Sequence, residues 1–451
     1  ATAEAAESAM RNYLIRLNQV SSLSVCGLFS QNETLEDGTR IDTVHVIART
    51  QNKPYIYFYR QFVDASYWTP WEKIDADIEG DQLYPFVYNG ALQIYWPIIK
   101  DVAKNVGGST AGQPTETVLQ VGLAWTELRN GKWAGTTVAD AAMKIDFFSP
   151  YIQVTKEQLH FEVVMNAGSP EIKCLFFSGS STNSIFASGW LLLKFTINRG
   201  NGNVELTKIY DHNDPNRWPV TFYIPQGSRL VNGKLLGPAV GSALNLPVYH
   251  QNPVMGNTVS GIDTLGKVPK PYSISFPFQM LKFVVNFPFF YQDSDRTFFV
   301  RTQLQSGSLS ARYEAWGRSW LLAESTAEAS DIQMPSINFK LLFESFHHPY
   351  AGAFMNLLNK FGIGRLLELS TQRSTRSYFA AQYEPKEILA APYPTDNVDF
   401  SAQGAYASYN WETFFHVPLF IADRLSKNGR YEEAQRWYHY IFNPTDGTPE
   451  D

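Results

Sequence analysis

Asn-Gly pairs between short runs of alternating residues are the feature that most limits how this chain can fold. Asn89-Gly90, Asn130-Gly131 and Asn232-Gly233 each separate two such runs, and a Gly-rich turn lies at 200–202. The two central residues of a type I′ turn both need a positive φ, which Asn and Gly adopt readily, so these pairs predict β-hairpins. Many sequential hairpins of similar size predict a β-propeller or a β-sandwich.

Aromatic residues favour the propeller, because large rings fill the gaps between sheets. Tryptophans recur near the predicted strand ends, at Trp68, Trp71, Trp96, Trp125, Trp133 and Trp190. The length of 451 residues predicts two or three domains. Because 44% of the residues are hydrophobic and only 18% are charged, a disordered chain is not expected. The net charge of −6 argues against a dedicated nucleic-acid binder.

The hydrophobic pattern divides the chain into three parts. Apolar residues at spacings of three and four predict a helical segment at 1–22. The pattern then becomes strand-like, which predicts a β domain over 23–340 with a loop-rich excursion at 241–280. Helical spacing returns in 341–451, which ends in a helical hairpin that resembles a single tetratricopeptide unit. The predicted fold class is therefore mainly β with α-helical flanks.

Two further features bear on the setting of the chain. Cys26 and Cys174 lie in apolar stretches, so we expect buried thiols rather than a disulfide scaffold, with a pairing between them left open. The longest apolar runs fall far short of the ~20 residues that span a bilayer. The first ten residues lack the features of a signal peptide and do not begin with Met, so we expect a fragment of a longer protein.

Motifs that carry catalysis are not found. A sialidase would show a Phe-Arg-Ile-Pro run and repeated Asp-box turns, and neither occurs. The sequence alone does not assemble a substrate-binding triad from its arginines, which include Arg49, Arg60, Arg129, Arg217, Arg229, Arg296 and Arg301. Nucleotide-binding glycine motifs are absent as well. We predict no catalytic residue, no cofactor and no metal.

One acidic segment stands out as a candidate contact. It resembles the start of a calcium loop, but Phe86 occupies the twelfth position, where such a loop needs a bidentate Glu. A solvated turn and a surface for a charged partner are the other interpretations. Carboxylates this close repel one another, so we predict a pH-sensitive contact here. We call this segment the acidic turn, and its residues are Asp75, Asp77, Glu79 and Asp81.

Aromatic and histidine side chains leave alternatives open. Trp68, Trp71 and Trp96 are candidates for stacking on glycans, although core packing between sheets is the other interpretation. His347-His348 lacks a zinc-site pattern and is expected to cap a strand-to-helix turn. His416 and His439 are expected in the core or at an interface.

Five longer strings make the chain resemble the A subunit of the bacterial Tc (toxin complex) insecticidal toxins. They are His45–Thr50, Tyr67–Pro97, Pro288–Val300, Phe346–Tyr350 and Pro392–Asp446. They follow the order of that family through nearly the whole chain. The resemblance implies that 23–340 is a neuraminidase-like domain, and that 1–22 and 341–451 are helical shell segments.

The resemblance also implies a function. The A subunit of that family is a homopentamer whose shell encloses a channel and opens after a pH shift. The channel then crosses the host membrane to deliver an enzyme held by the B and C subunits. The membrane-crossing and B-binding parts would lie outside this chain. A secreted or bacterial cell-surface location is expected, together with a host glycan or protein receptor.

Three functions remain as hypotheses. The first is a non-catalytic structural and gating element that keeps the shell closed. The second is a glycan-binding or receptor-binding module, and the third is an active sialidase. Burial of the candidate tryptophans favours the first hypothesis, whereas a Trp-lined cleft with converging arginines favours the others.

Overall fold

The computed structural model describes most of the chain. The described residues are 3–34, 37–80, 83–103, 117–145, 154–156, 159–166, 169–177, 189–198, 203–208, 229–231, 234–236, 243–244, 288–292, 296–304, 339–383 and 389–444. Most of the predicted excursion at 241–280 therefore lies outside the described residues.

The chain begins with a helix and an antiparallel sheet. Helix α1 (Ala3–Val20) buries Met10, Leu14 and Leu17, the stripe that the sequence spacing predicts. Sheet 1 follows, with the order β1-β2-β3-β4 and β5 paired to β3. Its strands are β1 (Ser24–Thr34), β2 (Arg40–Arg49), β3 (Tyr57–Val63), β4 (Tyr67–Trp68) and β5 (Glu72–Lys73).

Sheet 2 contains two of the predicted Asn-Gly turns. Asn89 and Gly90 have φ values of 51° and 73°, and Asn130 and Gly131 have 51° and 72°. Both central residues of each turn are thus left-handed, which confirms the predicted turn chemistry. The strands are β6 (Tyr84–Tyr88), β7 (Ala91–Ala103), β8 (Thr117–Arg129), β9 (Lys132–Trp133), β10 (Thr137–Val138) and β11 (Met143–Lys144).

Two more sheets complete the β part. Sheet 3 is a four-stranded antiparallel meander of β12 (Leu159–Asn166), β13 (Ser169–Phe177), β14 (Gly189–Ile197) and β15 (Val204–Lys208). Sheet 4 has the order β18-β17-β16-β19-β20-β21, in which β16 and β19 are parallel. Its strands are β16 (Arg229–Val231), β17 (Lys234–Leu236), β18 (Ala243–Leu244), β19 (Phe289–Gln292), β20 (Thr297–Leu304) and β21 (Phe339–Ser345).

The remainder is mostly helical, so the predicted fold class is confirmed. Gly362 has a φ of 78° and kinks the helix that spans Ala351–Leu366. Gly429, with a φ of 74°, forms the turn of the predicted helical hairpin. The elements are α2 (Ala351–Leu366), α3 (Leu369–Gln372), β22 (Thr375–Ser377), α4 (Phe379–Tyr383), β23 (Thr395–Asn397), α5 (Ala407–Trp411), a π-helical turn (Glu412–His416), α6 (Val417–Lys427) and α7 (Tyr431–His439).

Two large apolar clusters organise these elements. The junction core joins α1 and sheet 1 to the C-terminal helices, and the sheet core fills the space between sheets 2 and 3. The junction core includes Met10, Leu14, Val46, Phe62, Trp68, Phe346, Phe354, Tyr406 and Trp437. The sheet core includes Tyr84, Tyr95, Leu123, Phe161, Ile172, Cys174, Leu193 and Phe195. A smaller cluster lies between sheets 1 and 2.

Two absences concern only the described part of the chain. No helix there is both long and apolar enough to span a bilayer. Cys26 and Cys174 are buried free thiols, as the sequence predicts, and they form no disulfide. Burial raises the pKa of the Cys174 thiol, which leaves it protonated and unreactive at neutral pH.

Candidate functional site

The acidic turn follows β5 and faces water. Ile74 and Ile78 are buried, whereas Asp75, Asp77 and Glu79 are exposed. The two isoleucines hold the segment against the small cluster between sheets 1 and 2, so the three carboxylates project outward. A surface of this kind can meet a charged partner.

The contacts of the acidic turn are few. Lys73 Nζ lies 2.7 Å from Asp75 Oδ1, and both side chains are exposed. Thr136 Oγ1 donates to the backbone carbonyl of Asp77 at 2.5 Å. Asp81 lies outside the described residues. No group of three or more potential metal ligands occurs in the described part of the chain.

The three candidate tryptophans are core residues, which corrects their interpretation as glycan-stacking rings. Their exposed fractions are 6% for Trp68, 8% for Trp71 and 1% for Trp96. Trp68 stacks on Phe62 with ring centroids 4.7 Å apart and tilts against Phe346 at 4.9 Å. No face of these rings is open to a sugar, because neighbouring strands and helices already cover them.

Arg60 is the most unusual residue of the junction core. It lies on β3, and its side chain is fully buried. Nη2 donates to the carbonyl of Ala405 at 2.7 Å, which bridges sheet 1 and the segment before α5. Four aromatic rings surround its guanidinium carbon, at centroid distances of 4.7 Å for Trp68, 4.9 Å for Trp71, 5.5 Å for Phe346 and 5.7 Å for Tyr406.

This guanidinium has no counter-ion among the described residues. Its Nε and Nη1 atoms are buried without a hydrogen-bond partner there. Burial lowers the pKa of Arg60 to about 10, with the nearby Tyr406 and Tyr409 opposing that shift. Cation–π contacts of this kind contribute about 2 kcal/mol when desolvated, which offsets only part of the cost of burying the charge.

Three tyrosines link the same layers. Tyr406 Oη donates to the carbonyl of Val20 at 2.6 Å, and Tyr13 Oη donates to the carbonyl of Tyr409 at 3.2 Å. The backbone N–H of Trp71 donates to Tyr409 Oη at 2.7 Å. The N-terminal helix, sheet 1 and α5 are therefore joined by directional bonds as well as by apolar contact.

His348 lies at the strand-to-helix turn that the sequence predicts, and its ring contacts Tyr406 with centroids 5.6 Å apart. Its Nε2 is 2.9 Å from Asn410 Oδ1, and the backbone N–H of Tyr350 donates to its Nδ1 at 3.2 Å. The backbone N–H of His348 donates to the carbonyl of Ser21 at 2.8 Å. Burial lowers the pKa of His348 to about 4, although the Asn410 hydrogen bond opposes this shift.

His347 points into a different, charged environment. Its Nε2 lies 3.3 Å from Asp396 Oδ1, and Arg296 Nη2 donates to Asp396 Oδ2 at 2.9 Å. Burial by itself would raise the pKa of Asp396, but the hydrogen bonds from His347 and Arg296 outweigh it and lower the pKa. This pair ties sheet 4 to the helical part.

The remaining histidines differ in burial. His45 is buried in sheet 1, where Nδ1 lies 2.9 Å from Tyr59 Oη, and burial lowers its pKa to about 4. His416 is exposed and His439 is half-buried. The expectation that these two lie in the core of this chain is wrong, and an interface role for them stays a prediction.

In the sequence Arg60 is only one of several candidate arginines, and nothing marks Asn410 or Asp396. Arg60 stands in an aromatic-rich stretch shortly before Trp68 and Trp71, which was the only local signal. Its bond to Ala405 spans 345 residues, so no spacing rule could reveal it.

Comparison with known proteins assigns a class to the β part. Residues 23–173 match the family model for the neuraminidase-like domain. This region covers sheets 1 and 2 and continues into sheet 3. Residues 23–173 are therefore similar to a neuraminidase-like domain.

Particular relatives are toxin components. A segment of 41 residues is 49% identical to the toxin subunit YenA2 of Yersinia entomophaga, over 9% of this chain and 3% of that subunit. The cryo-EM structure of TcdA4 from Morganella morganii has a TM-score of 0.47 and 13% identity, over 99% of this chain and 26% of that one. For TcaA-TcaB of Yersinia pseudotuberculosis the values are 0.40 and 13%, over 100% and 14%.

These relatives are several times longer than the part of them that this chain matches. The predicted resemblance to Tc toxin A subunits is confirmed. The chain is similar to part of such a subunit, and its residues 23–173 match the neuraminidase-like domain.

Proposed function

We propose that this chain is a non-catalytic structural and gating part of a Tc-type toxin A subunit. In this role the neuraminidase-like domain closes the shell around a translocation channel until a change of pH opens it. The observation that carries the proposal is the junction core, because one continuous apolar cluster fuses the β domain to helices on both sides of it in sequence. A domain fixed to its neighbours in this way is suited to form a rigid part of the shell.

Two observations support a non-catalytic role. Three candidate arginines are engaged by three different carboxylates, which does not suit a shared substrate-binding triad. These pairs are Arg129–Glu127, Arg296–Asp396 and Arg301–Glu344. The candidate tryptophans are also buried rather than arranged around a cleft. We therefore expect no turnover of a fluorogenic sialoside and no saturable signal from the chain on a glycan array.

The acidic turn is the proposed contact of the gate. Asp75, Asp77 and Glu79 present unburied carboxylates that can meet a neighbouring protomer of a homopentamer. Contacts with the B and C subunits, with a host receptor and with the host membrane belong, in this proposal, to regions outside this chain or to surfaces not yet assigned. The assembled toxin would act after secretion or at the bacterial surface.

The test neutralises the acidic turn in the assembled toxin. The variant D75N/D77N/E79Q/D81N should move the pH at which the channel is released, because the negative charges proposed to contact the neighbouring protomer are removed. A matched control, E4Q/D140N/E205Q/E432Q, removes four exposed carboxylates elsewhere and should leave the release pH unchanged. An unchanged release pH in the first variant would remove the acidic turn from the gate. Sialoside turnover by the wild type would overturn the non-catalytic assignment.

A further inference from the structure

Three Asn-Gly pairs lie among the described residues, and the structure gives them different surroundings. Asn89-Gly90 and Asn130-Gly131 form the two-residue turns of sheet 2, and all four residues are exposed. Asn428-Gly429 follows α6, where the N–H of Gly429 donates to the carbonyl of Ser426 at 3.0 Å. Glycine has no side chain to shield its backbone nitrogen, so that nitrogen is open to reaction with the asparagine before it.

The reaction available to such a pair is closure of a five-membered ring. The glycine nitrogen loses its proton and attacks the side-chain carbonyl carbon Cγ of the asparagine. An N–Cγ bond forms, the Cγ–Nδ2 bond breaks, and the proton ends on the ammonia that leaves. Water then opens the succinimide at one of its two carbonyl carbons, which gives aspartate or isoaspartate. The only other reactant is water, which the exposed turns of sheet 2 already meet.

The groups that would react at Asn130 are not engaged elsewhere. Within the described part of the chain, the side chain of Asn130 makes no hydrogen bond. The ladder closes between Arg129 and Lys132, so the N–H of Gly131 lies outside it. At Asn428-Gly429 the corresponding N–H is instead held by the Ser426 carbonyl, which should slow attack from that nitrogen.

The two turns of sheet 2 differ in how firmly their strands hold them. The Asn130 turn is closed by β9, a strand of two residues of which one is exposed and the other half-buried. The Asn89 turn is closed by β6, whose five residues all pair with β7 and of which four are buried. Ring closure needs the asparagine to rotate out of the turn geometry. Because opening is easier where few buried contacts break, Asn130 should react before Asn89.

We propose that Asn130 is a site of spontaneous deamidation, at which the folded chain converts asparagine to aspartate and isoaspartate. The order of the rates is Asn130, then Asn89, then Asn428. The reaction belongs to this chain alone, so it goes beyond the proposed function and does not depend on it.

Isoaspartate at position 130 would change the surface beside the acidic turn. It adds a negative charge and one methylene group to the main chain, and a two-residue turn sets the register of its strands by its length. β9 leads directly to Thr136, whose Oγ1 donates to the backbone carbonyl of Asp77. We therefore expect the modification to loosen the pairing of β9 and this link to the acidic turn.

Peptide mapping of the intact chain by mass spectrometry, after incubation at pH 7 and at pH 8, tests the proposal. Replacement of the side-chain NH₂ by OH should accumulate several-fold faster at Asn130 than at Asn89, and most slowly at Asn428. The rate at Asn130 should rise roughly tenfold between the two pH values, because the attacking nitrogen must be deprotonated. Labelling with protein isoaspartate methyltransferase identifies the isoaspartate.

Three variants separate the reaction from its consequences. N130Q should block it, since glutamine would have to close a larger and less favourable ring, and N89Q is the matched control that should leave conversion at Asn130 unchanged. N130D supplies the charge without the added methylene. The reporter is the amide of Ala134, which donates to the carbonyl of Glu127 at 2.8 Å. Its hydrogen exchange should quicken in the aged wild type, but not in aged N130Q or in fresh N130D.

A synthetic peptide of residues 125–136 shows that the mapping detects the reaction in an unfolded segment. Conversion in this peptide without conversion at Asn130 in the folded chain would overturn the proposal, because the fold would then protect the site. Faster conversion at Asn428 than at Asn130 would contradict it as well. If N130Q does not fold, the rates at the three asparagines of the wild type still decide.

Discussion

The junction core and the sheet core are built from similar apolar side chains but differ in the ionisable groups buried at each. The sheet core contains no arginine or histidine among its described residues, although the Tyr84 and Tyr88 hydroxyls are buried there without a hydrogen-bond partner, and the nearby Glu171 is paired with Lys194 at 2.6 Å. The junction core holds Arg60 without a counter-ion and His348 as a neutral ring. An apolar interface is stable across a wide range of pH, whereas an interface with unpaired ionisable groups is stable only in part of that range.

The largest effect is expected from a cavity in the sheet core. Phe161 is 1% exposed, so F161A should lower the free energy of unfolding by about 3–5 kcal/mol. Denaturant titrations at pH 7 and pH 5 should give the same loss of unfolding free energy. The described residues of the sheet core include no arginine or histidine. The half-buried Val163 provides the control, and V163A should cost much less. A loss for F161A that doubles in acid would erase the distinction between the two cores.

The next effect is the acid dependence of stability itself. His45 and His348 have folded-state pKa values of about 4, below their unfolded value of 6.5. The unfolded chain therefore binds protons first, and stability that is complete above pH 6.5 is lost as the pH falls toward 4. Each histidine accounts for about 3 kcal/mol over this window. Thermal unfolding of H45Q and H348Q should show a flatter pH profile than the wild type, and identical profiles would contradict the burial argument.

The turns, the buried tryptophans and Arg60 differ in how far the sequence could predict them. The Asn-Gly turns and the helical ends were predictable, because their signals lie within a few adjacent residues. The burial of Trp68 and Trp96 was not, since the same residues suit a sugar-binding surface and a core. The aromatic surroundings of Arg60 were not predictable either, because Phe346 and Tyr406 lie hundreds of residues away along the chain.

A smaller effect is expected where sheets 1 and 2 approach each other. A Cβ at Gly27 would lie 2.8 Å from the carbonyl oxygen of Leu83 and 3.0 Å from Pro85 Cδ. G27A should therefore cost about 1–3 kcal/mol through strain. Gly135 is the matched control, because a Cβ there would meet nothing within 4 Å. Equal unfolding midpoints for G27A and G135A would show that this close approach is not rigid.

The smallest effect on the chain alone is expected at the acidic turn. Asp75, Asp77 and Glu79 are exposed, and the ion pair between Lys73 and Asp75 is exposed as well. D75N/D77N/E79Q should shift the free energy of unfolding by less than about 0.5 kcal/mol. Chemical denaturation measures this, and a loss of several kcal/mol would mean that the turn supports the fold rather than a partner.

Cross-linking the junction in the assembled toxin tests the central claim most directly. Gln403 Nε2 donates to the carbonyl of Ala65 at 3.0 Å, and both residues are exposed on opposite sides of the junction. Since Cys26 and Cys174 are buried, a short thiol-specific cross-linker should join A65C to Q403C selectively. The account predicts that a change of pH releases the channel from the uncross-linked toxin and not from the cross-linked one. Release at the same pH from both would contradict it.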